Sequence, residues 1–412
     1  MERFDVAIVG ASIAGCMAAR CYAEHPLRIA VLEKKPAIES YKVLCTHFIQ
    51  PVALPVLRRY KLDRILEDHG AVATKAAFHT EAGWINPAGP YSNDPAQAHA
   101  YNIDRQTLDP LLRAQLLDHP AVALRFDSPV RCVAVQDDGR YIVHYGDEAA
   151  PRSIDAALLV AADGRQSTVA KLVGNQENRY DNERAVYYAY FDGIEPPVDN
   201  RSLFFLAHAE MAFVYPLSAG RTLLCVAIAK ERAKRWRSDG NLAARILEFY
   251  EQFPDVPALS RARCTSRVFG YADYPNISRE PVWKNIAFIG DAALSLDAMA
   301  GVGCGFAMVA AEMLVDSTAA SLGANGHLAL ALEAYRKRFA EVFAPHARAI
   351  MGDSLMPRSA TELIRAQELF AHMSRDSELQ DKFISLTGRL ISPQKFQLAY
   401  LSALSKSPRP RA

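Results

Sequence analysis

The sequence predicts an α/β fold: a doubly wound, mostly parallel sheet interleaved along the chain with a mostly antiparallel second sheet, closed by C-terminal helices. Three observations predict it. A strand–turn–helix–strand unit opens the chain, residues 185–228 are rich in Tyr, Phe, Val and Leu, and a helical pattern runs from about 303 onward. At 412 residues, 50% of them hydrophobic, the chain exceeds one small domain and can bury a large core.

Taken in order, "FDVAIVG" is an apolar strand run, "SIAGCMAARCYAEH" a helical pattern, and "RIAVLEKK" a second strand ending in an acid, together a βαβ unit. A loop, "PAIESYKVLCTHFIQP", leads to a helical segment, "VALPVLRRYKLDRILEDHG". Residues 73–95 alternate and hold Gly, Pro and Asn, as hairpin strands do. "DRQTLDPLLRAQLLDH" predicts a helix capped by Asp104. "VALRFDSPVRCVAVQDDGRYIVHYGD" predicts antiparallel strands turning at "DDG", and "DAALLVAADGRQSTVAKLVG" a buried strand, a turn and a short helix. After 303 the helices are expected to break at Pro345, Pro357 and Pro393. There is no internal repeat and no low-complexity linker, so the domains interleave. The first takes residues 1–72, 98–180 and 275–340, the second 73–97 and 181–274, and a helical region 341–412.

A net charge of +1 and the lack of a long basic run argue against a nucleic-acid partner. Seven cysteines without CxxC spacing argue against structural zinc and a disulfide framework, and fit a reducing cytoplasm. Too few residues precede the first apolar run for a signal peptide. No apolar segment is uninterrupted enough for stable membrane insertion, so a cytoplasmic protein is expected. Histidines without HxxxH or HExxH spacing make no metal site, and no GxSxG elbow is present.

The first chemical motif is "GASIAGC" between strand and helix. Gly10 permits the tight turn and Gly15 lets the helix close on the strand. The helix start, with Ile13 and Ala14, offers free N–H groups to a pyrophosphate. Ser12 stands where the usual pattern has its second Gly. Glu33 ends the second strand, where an acid accepts hydrogen bonds from ribose hydroxyls; Lys34 beside it and Arg131 are further candidates for dinucleotide contacts. A second motif is "GDAALSLDAMAGVGCGFA". After a buried strand the Asp291 carboxylate needs hydroxyl or N–H partners, and Gly290 precedes it. Gly301, Val302 and Gly303 begin a helix whose N–H groups can approach a ligand. The alternative is that Asp291 is a helix cap and the glycines a flexible loop.

These motifs, with "YNIDRQTLD" and "AADGRQSTVAK", resemble the flavin-dependent monooxygenase group typified by para-hydroxybenzoate hydroxylase. They are also similar to its relatives, the flavin-dependent halogenases and geranylgeranyl reductases. The resemblance covers residues 1 to about 320 and implies a Rossmann-like FAD-binding domain under a substrate domain. It implies that Arg105 faces the FAD, that Asp163, Gly164 and Ser167 serve FAD and NAD(P)H, and that Asp291 binds the ribityl chain. Ala170, Leu294 and Ala298 depart from the group's pattern. Where the group carries Arg residues near the flavin, this chain has Cys45, Thr46 and His47. His47 is read either as a general base or as a polar residue holding the flavin, and Cys45 as a small packing residue. "EMAFVYPLS" lacks the Trp pair of tryptophan-type halogenases; Met211, Phe213 and Tyr215 furnish either a substrate wall or ordinary sheet core. Tyr215 is the second candidate for proton transfer.

The implied reaction is reduction of FAD by NAD(P)H, reaction with O2 to a C4a-hydroperoxide, and oxygen transfer to an aromatic or electron-rich small molecule. Electrons come from NAD(P)H directly or through a separate flavin reductase. Alternatives are a reductase or halogenase of the neighbouring branch, and a non-catalytic carrier resembling GDP-dissociation inhibitors. Monomer and homodimer both remain open.

Overall fold

The computed structural model describes residues 1–86, 88–322, 327–356 and 359–406. The first sheet grows from Glu2–Val9, buried from Val6 to Val9 because strands flank it on both sides. Ile29–Leu32 and Arg152–Ala161 pair with it in parallel. Val122–Arg125 extends the sheet beyond the former and Ile286–Phe288 beyond the latter, again in parallel. The carboxyl ends at Val9, Leu32, Ala161 and Phe288 therefore meet along one edge, on both sides of the point where strand order reverses. Open α/β sheets bind ligands there. Val130–Val135 and Tyr141–Tyr145 form an antiparallel ribbon on the first half of Arg152–Ala161. The stretch expected to be antiparallel throughout thus divides, and Val122–Arg125 joins the parallel edge instead.

The Ile13–Tyr22 helix packs on the Gly303–Thr318 helix above this sheet. Gly15 makes the close approach to the turn: a Cβ there would stand 1.8 Å from the Gly10 carbonyl oxygen. Gly303–Leu322 is the one described stretch with the length and apolarity of a bilayer span, yet 61% of its most apolar part is buried inside the protein. It is a core helix.

The second sheet runs in the order Arg263–Cys264, Arg184–Asp192, Thr222–Ala229, Glu210–Pro216, Ser202–Ala207, Ala76–Thr80, Gly83–Ile85. Its pairs are antiparallel except Ala76–Thr80 with Ser202–Ala207. Both faces are covered, which explains its aromatic and β-branched composition. The helices Lys230–Asp239 and Leu242–Tyr250 seal one face through Trp236, Ile246, Phe249 and Tyr250. On the other, Tyr188, Phe204, Phe213 and Tyr215 meet Phe48 and the C-terminal residues Met373, Leu379, Ile384 and Phe396.

Some expected helix limits shift. The segment after the long loop splits into Leu54–Arg59 and Leu62–Asp68, because Lys61 turns the backbone left-handed at φ 58. Leu328–Asp353 runs on through Pro345. A mid-helix proline costs about 3 kcal/mol, but buried Phe339, Phe343, Ala347 and Ile350 hold the helix on both sides of it. Pro393 opens the Pro393–Lys406 helix rather than breaking one, since a first-turn position needs no N–H. Pro357 lies outside the described residues. Asp104 precedes the Arg105–Leu117 helix, but its side chain makes no capping bond and is engaged by Arg221.

Candidate functional site

A cavity of about 690 Å³ opens along the carboxyl edge of the parallel sheet and runs toward the second sheet. Gly10, Ser12, Ile13, Ala14, Glu33, Lys34, Cys45, Thr46, Arg105, Asp163, Asp291, Gly301, Val302 and Gly303 all line it. Residues more than 250 positions apart are thus brought to one wall.

At one end, Glu33 is buried, and its carboxylate accepts the Ala11 N–H at 2.6 Å and the Lys35 N–H at 2.9 Å. Gly10 turns the chain at φ +100, where a Cβ would lie 2.6 Å from the Ala162 carbonyl oxygen. The following helix presents its first-turn N–H groups, which have no acceptor within the helix. Ser12 does not cap that helix; its hydroxyl accepts from Arg105 at 2.7 Å. Arg105 also donates to Asp109 at 2.8 Å, and Asp109 in turn accepts the Lys42 backbone N–H at 2.9 Å. One buried carboxylate therefore fixes both a cavity-facing guanidinium and the loop across from it.

Farther along, Asp291 lies in a short 3-10 turn, Gly290–Ala292, and caps no helix. Its carboxylate meets the Lys42 ammonium at 2.8 Å, and that charge raises the pKa of Lys42. Asp163 accepts from the Ser167 hydroxyl at 2.6 Å and the Val169 N–H at 3.0 Å, so it braces the Thr168–Val173 helix. Burial pushes its carboxyl above the ordinary value. At the far end the walls are Phe48, Tyr188, Tyr271, Leu294, Leu296 and Phe306.

The loop Tyr41–Thr46 forms one side of this end. Tyr188 donates its hydroxyl to the Val43 carbonyl at 2.9 Å and accepts the Cys45 N–H at 3.1 Å, while Tyr271 donates to the Leu44 carbonyl at 2.9 Å. Cys45 is more than a packing residue. Its sulfur lies 3.9 Å from that of Cys304; that contact, with the Arg105 and Lys42 cations nearby, holds the Cys45 thiol well below its usual range.

Other nominated residues stand apart from the cavity. His47 is buried behind its wall at φ 66. Its Nδ1 accepts the Arg105 N–H at 3.1 Å, which leaves Nε2–H to donate to Tyr190 at 2.5 Å. Burial lowers its pKa, so it is neutral near pH 7; neither it nor Tyr190 lines the cavity. Tyr215 and Phe213 belong to an aromatic stack behind Phe48 (Phe48–Tyr215 centroids 5.2 Å apart), with Met211 half-buried against the same core. Arg131 points out and pairs with Glu148 at 3.6 Å; strand alternation gives the cavity Val130 instead. Gly15 and Gly290 shape the backbone without lining the space.

Sequence reasoning missed Arg113, whose buried guanidinium donates to the carbonyls of Ala11 and Ile38 at 2.7 Å and also to that of Ser40. The signal was present: Arg105, Asp109 and Arg113 recur every fourth residue, on one face of a helix. Tyr188, Tyr271 and Tyr274 carried no such signal.

These residues fit FAD. Glu33 would take the ribose hydroxyls, the Ser12–Ala14 turn the pyrophosphate, and Asp291 the ribityl chain. The aromatic end, with the Val302 and Gly303 N–H groups, would hold the ring. Comparisons with known proteins agree on the class. Residues 3–346 match the family described as FAD binding domain. Digeranylgeranylglycerophospholipid reductase 1 of Methanopyrus kandleri is 24% identical over 352 residues, 82% of this chain and 87% of that protein. The fold of p-nitrophenol 4-monooxygenase from Pseudomonas putida superposes with a TM-score of 0.75 at 19% identity, over 95% of this chain and 100% of that one. A flavin-dependent brominase gives 0.74 at 17% identity, over 98% and 100%. The chain belongs to the family described as FAD binding domain.

Proposed function

We propose that this protein is an FAD-dependent monooxygenase that hydroxylates or epoxidises an aromatic or electron-rich small molecule, with NAD(P)H as the electron source. The observation that supports it most is the make-up of the cavity's far end. Phe48, Tyr188, Leu294, Leu296 and Phe306 make an apolar, aromatic wall beside the Gly301–Gly303 turn, a setting that would hold the flavin ring and suit a flat apolar substrate stacked beside it, away from water. The fold shared with p-nitrophenol 4-monooxygenase supports the same reading.

Reduced FAD supplies the two electrons and the oxygen activation. The chain's own residues bind and orient. Glu33 would hold the cofactor's adenosine ribose and Asp291 its ribityl chain through their hydroxyls, and Arg105, held by Asp109, would offer positive charge to the pyrophosphate between them. His47 would position Arg105 by accepting its backbone N–H from behind the wall. Purified protein with FAD, NAD(P)H, ¹⁸O₂ and a panel of phenols provides the test. Substrate-stimulated NAD(P)H oxidation with one labelled oxygen in the product is expected. A product that gains only hydrogen, and does so without oxygen, would overturn the reading.

A further inference from the structure

The two cysteines of the cavity wall sit where a chemical link would change the site. Cys45 lies on the Tyr41–Thr46 loop, outside regular structure, and Cys304 is the second residue of the Gly303–Thr318 helix. Both line the cavity, and both thiols are free. Their sulfurs are 3.9 Å apart, against about 2.05 Å in a disulfide, so side-chain rotation with a small loop shift would join them. Lys42 and Arg105 also line this space and favour a thiolate at Cys45.

We propose that Cys45 and Cys304 form a two-electron redox site which a hydroperoxide oxidises to a disulfide, tying the Tyr41–Thr46 loop to the Gly303–Thr318 helix. The Cys45 thiolate attacks one peroxide oxygen and the O–O bond breaks. The leaving hydroxide takes a proton and departs as water, leaving a sulfenic acid on Cys45. The Cys304 sulfur then attacks the Cys45 sulfur, the S–S bond forms, and the hydroxyl leaves with the Cys304 proton as a second water. Two thiols lose two electrons and the peroxide gains them. Hydrogen peroxide is the co-reactant this requires; it is what reduced flavin and dioxygen yield when no substrate takes the oxygen.

The site has a structural consequence because loop and helix both border one ligand space. Joined, they cannot separate to release a bound cofactor. This part rests on the assignment of FAD to the cavity; the sulfur chemistry does not.

Holoprotein treated with hydrogen peroxide, digested without reductant and mapped by mass spectrometry should yield the Cys45 and Cys304 peptides joined, and dithiothreitol should separate them. In Cys304→Ser, the same treatment should leave a sulfenic acid at Cys45 that dimedone traps. FAD release from oxidised protein should be slower than from reduced protein by about tenfold or more, the scale of a cross-link's free energy. Both thiols remaining alkylatable after peroxide, or a disulfide joining other cysteines, would overturn the proposal. Equal FAD release from the two forms would overturn the latch. The peptide map is repeated on protein stripped of FAD, so a failure of flavin binding shows itself separately from a failure of the thiols.

Discussion

Asp291 stands 2.8 Å from the Lys42 ammonium on the cavity wall, and no helix claims its carboxylate. Replacing it by Asn keeps the shape but removes the charge that a ribityl chain's hydroxyls would meet and that Lys42 answers. Hydrogen bonds to a charged group contribute about 1.5–3 kcal/mol, so Asp291→Asn should weaken FAD binding about ten- to a hundredfold. Flavin retained after dialysis measures this, and undiminished retention would remove Asp291 from the site. Single residues of this kind were legible in the sequence where a local rule governed them. Gly10, Glu33 and Asp291 each follow a strand, and the strand's end fixes where they must lie. His47 was not legible, because its left-handed backbone and its burial against Tyr190 arise from packing against a strand some 140 residues away. Arg131 was misread by one strand position, enough to send its side chain to the opposite face.

At the level of elements, the glycine turn before the Gly303–Thr318 helix depends on chain that carries no recognisable motif. The Ala300 carbonyl accepts from Gln50 Nε2 at 2.8 Å and from the Arg389 guanidinium at 3.1 Å. Arg389 comes from the bend between the Ser377–Thr387 and Pro393–Lys406 helices, so the C-terminal region positions the turn that would meet the flavin ring. Arg389→Met should leave the fold intact, since Gln50 still holds the carbonyl. The loosened turn should lower FAD affinity by about fivefold to tenfold, the worth of one hydrogen bond of about 1–1.5 kcal/mol. Fluorescence titration of FAD measures it, with circular dichroism to check folding; unchanged affinity would make Arg389 a purely structural contact. The sequence announced these helices by periodicity, but their role was hidden because a backbone carbonyl has no signature. The continuous helix through Pro345 was hidden for a related reason. A local rule predicts a break, and the burial that overrides it belongs to the tertiary structure.

For the whole molecule, the cavity draws its wall from both sheets, the long loop and the Gly303–Thr318 helix, so a ligand bound there stabilises all of them together. FAD at a hundred times its dissociation constant should add about 2.7 kcal/mol to the unfolding free energy, seen as one cooperative rise in melting temperature. A rise confined to one of two separable transitions would mean that the second sheet unfolds on its own. The general architecture was legible because a βαβ unit, an aromatic-rich sheet and helical periodicity each speak locally. The register between distant segments was not, since nothing near Glu2–Val9 states that its partner is Arg152–Ala161.

That interleaving also sets a timetable. The first strand is made well before its neighbour, which lies about 150 residues downstream, and before Asp291, near residue 290. At about 5–20 residues per second, some 15–60 seconds of synthesis separate the first strand from Asp291. For the first half of that interval, until Arg152–Ala161 is made, the nascent chain holds an apolar strand edge with no neighbour on one side. Holding that edge apart from other chains is the hazard this fold presents to the cell that makes it.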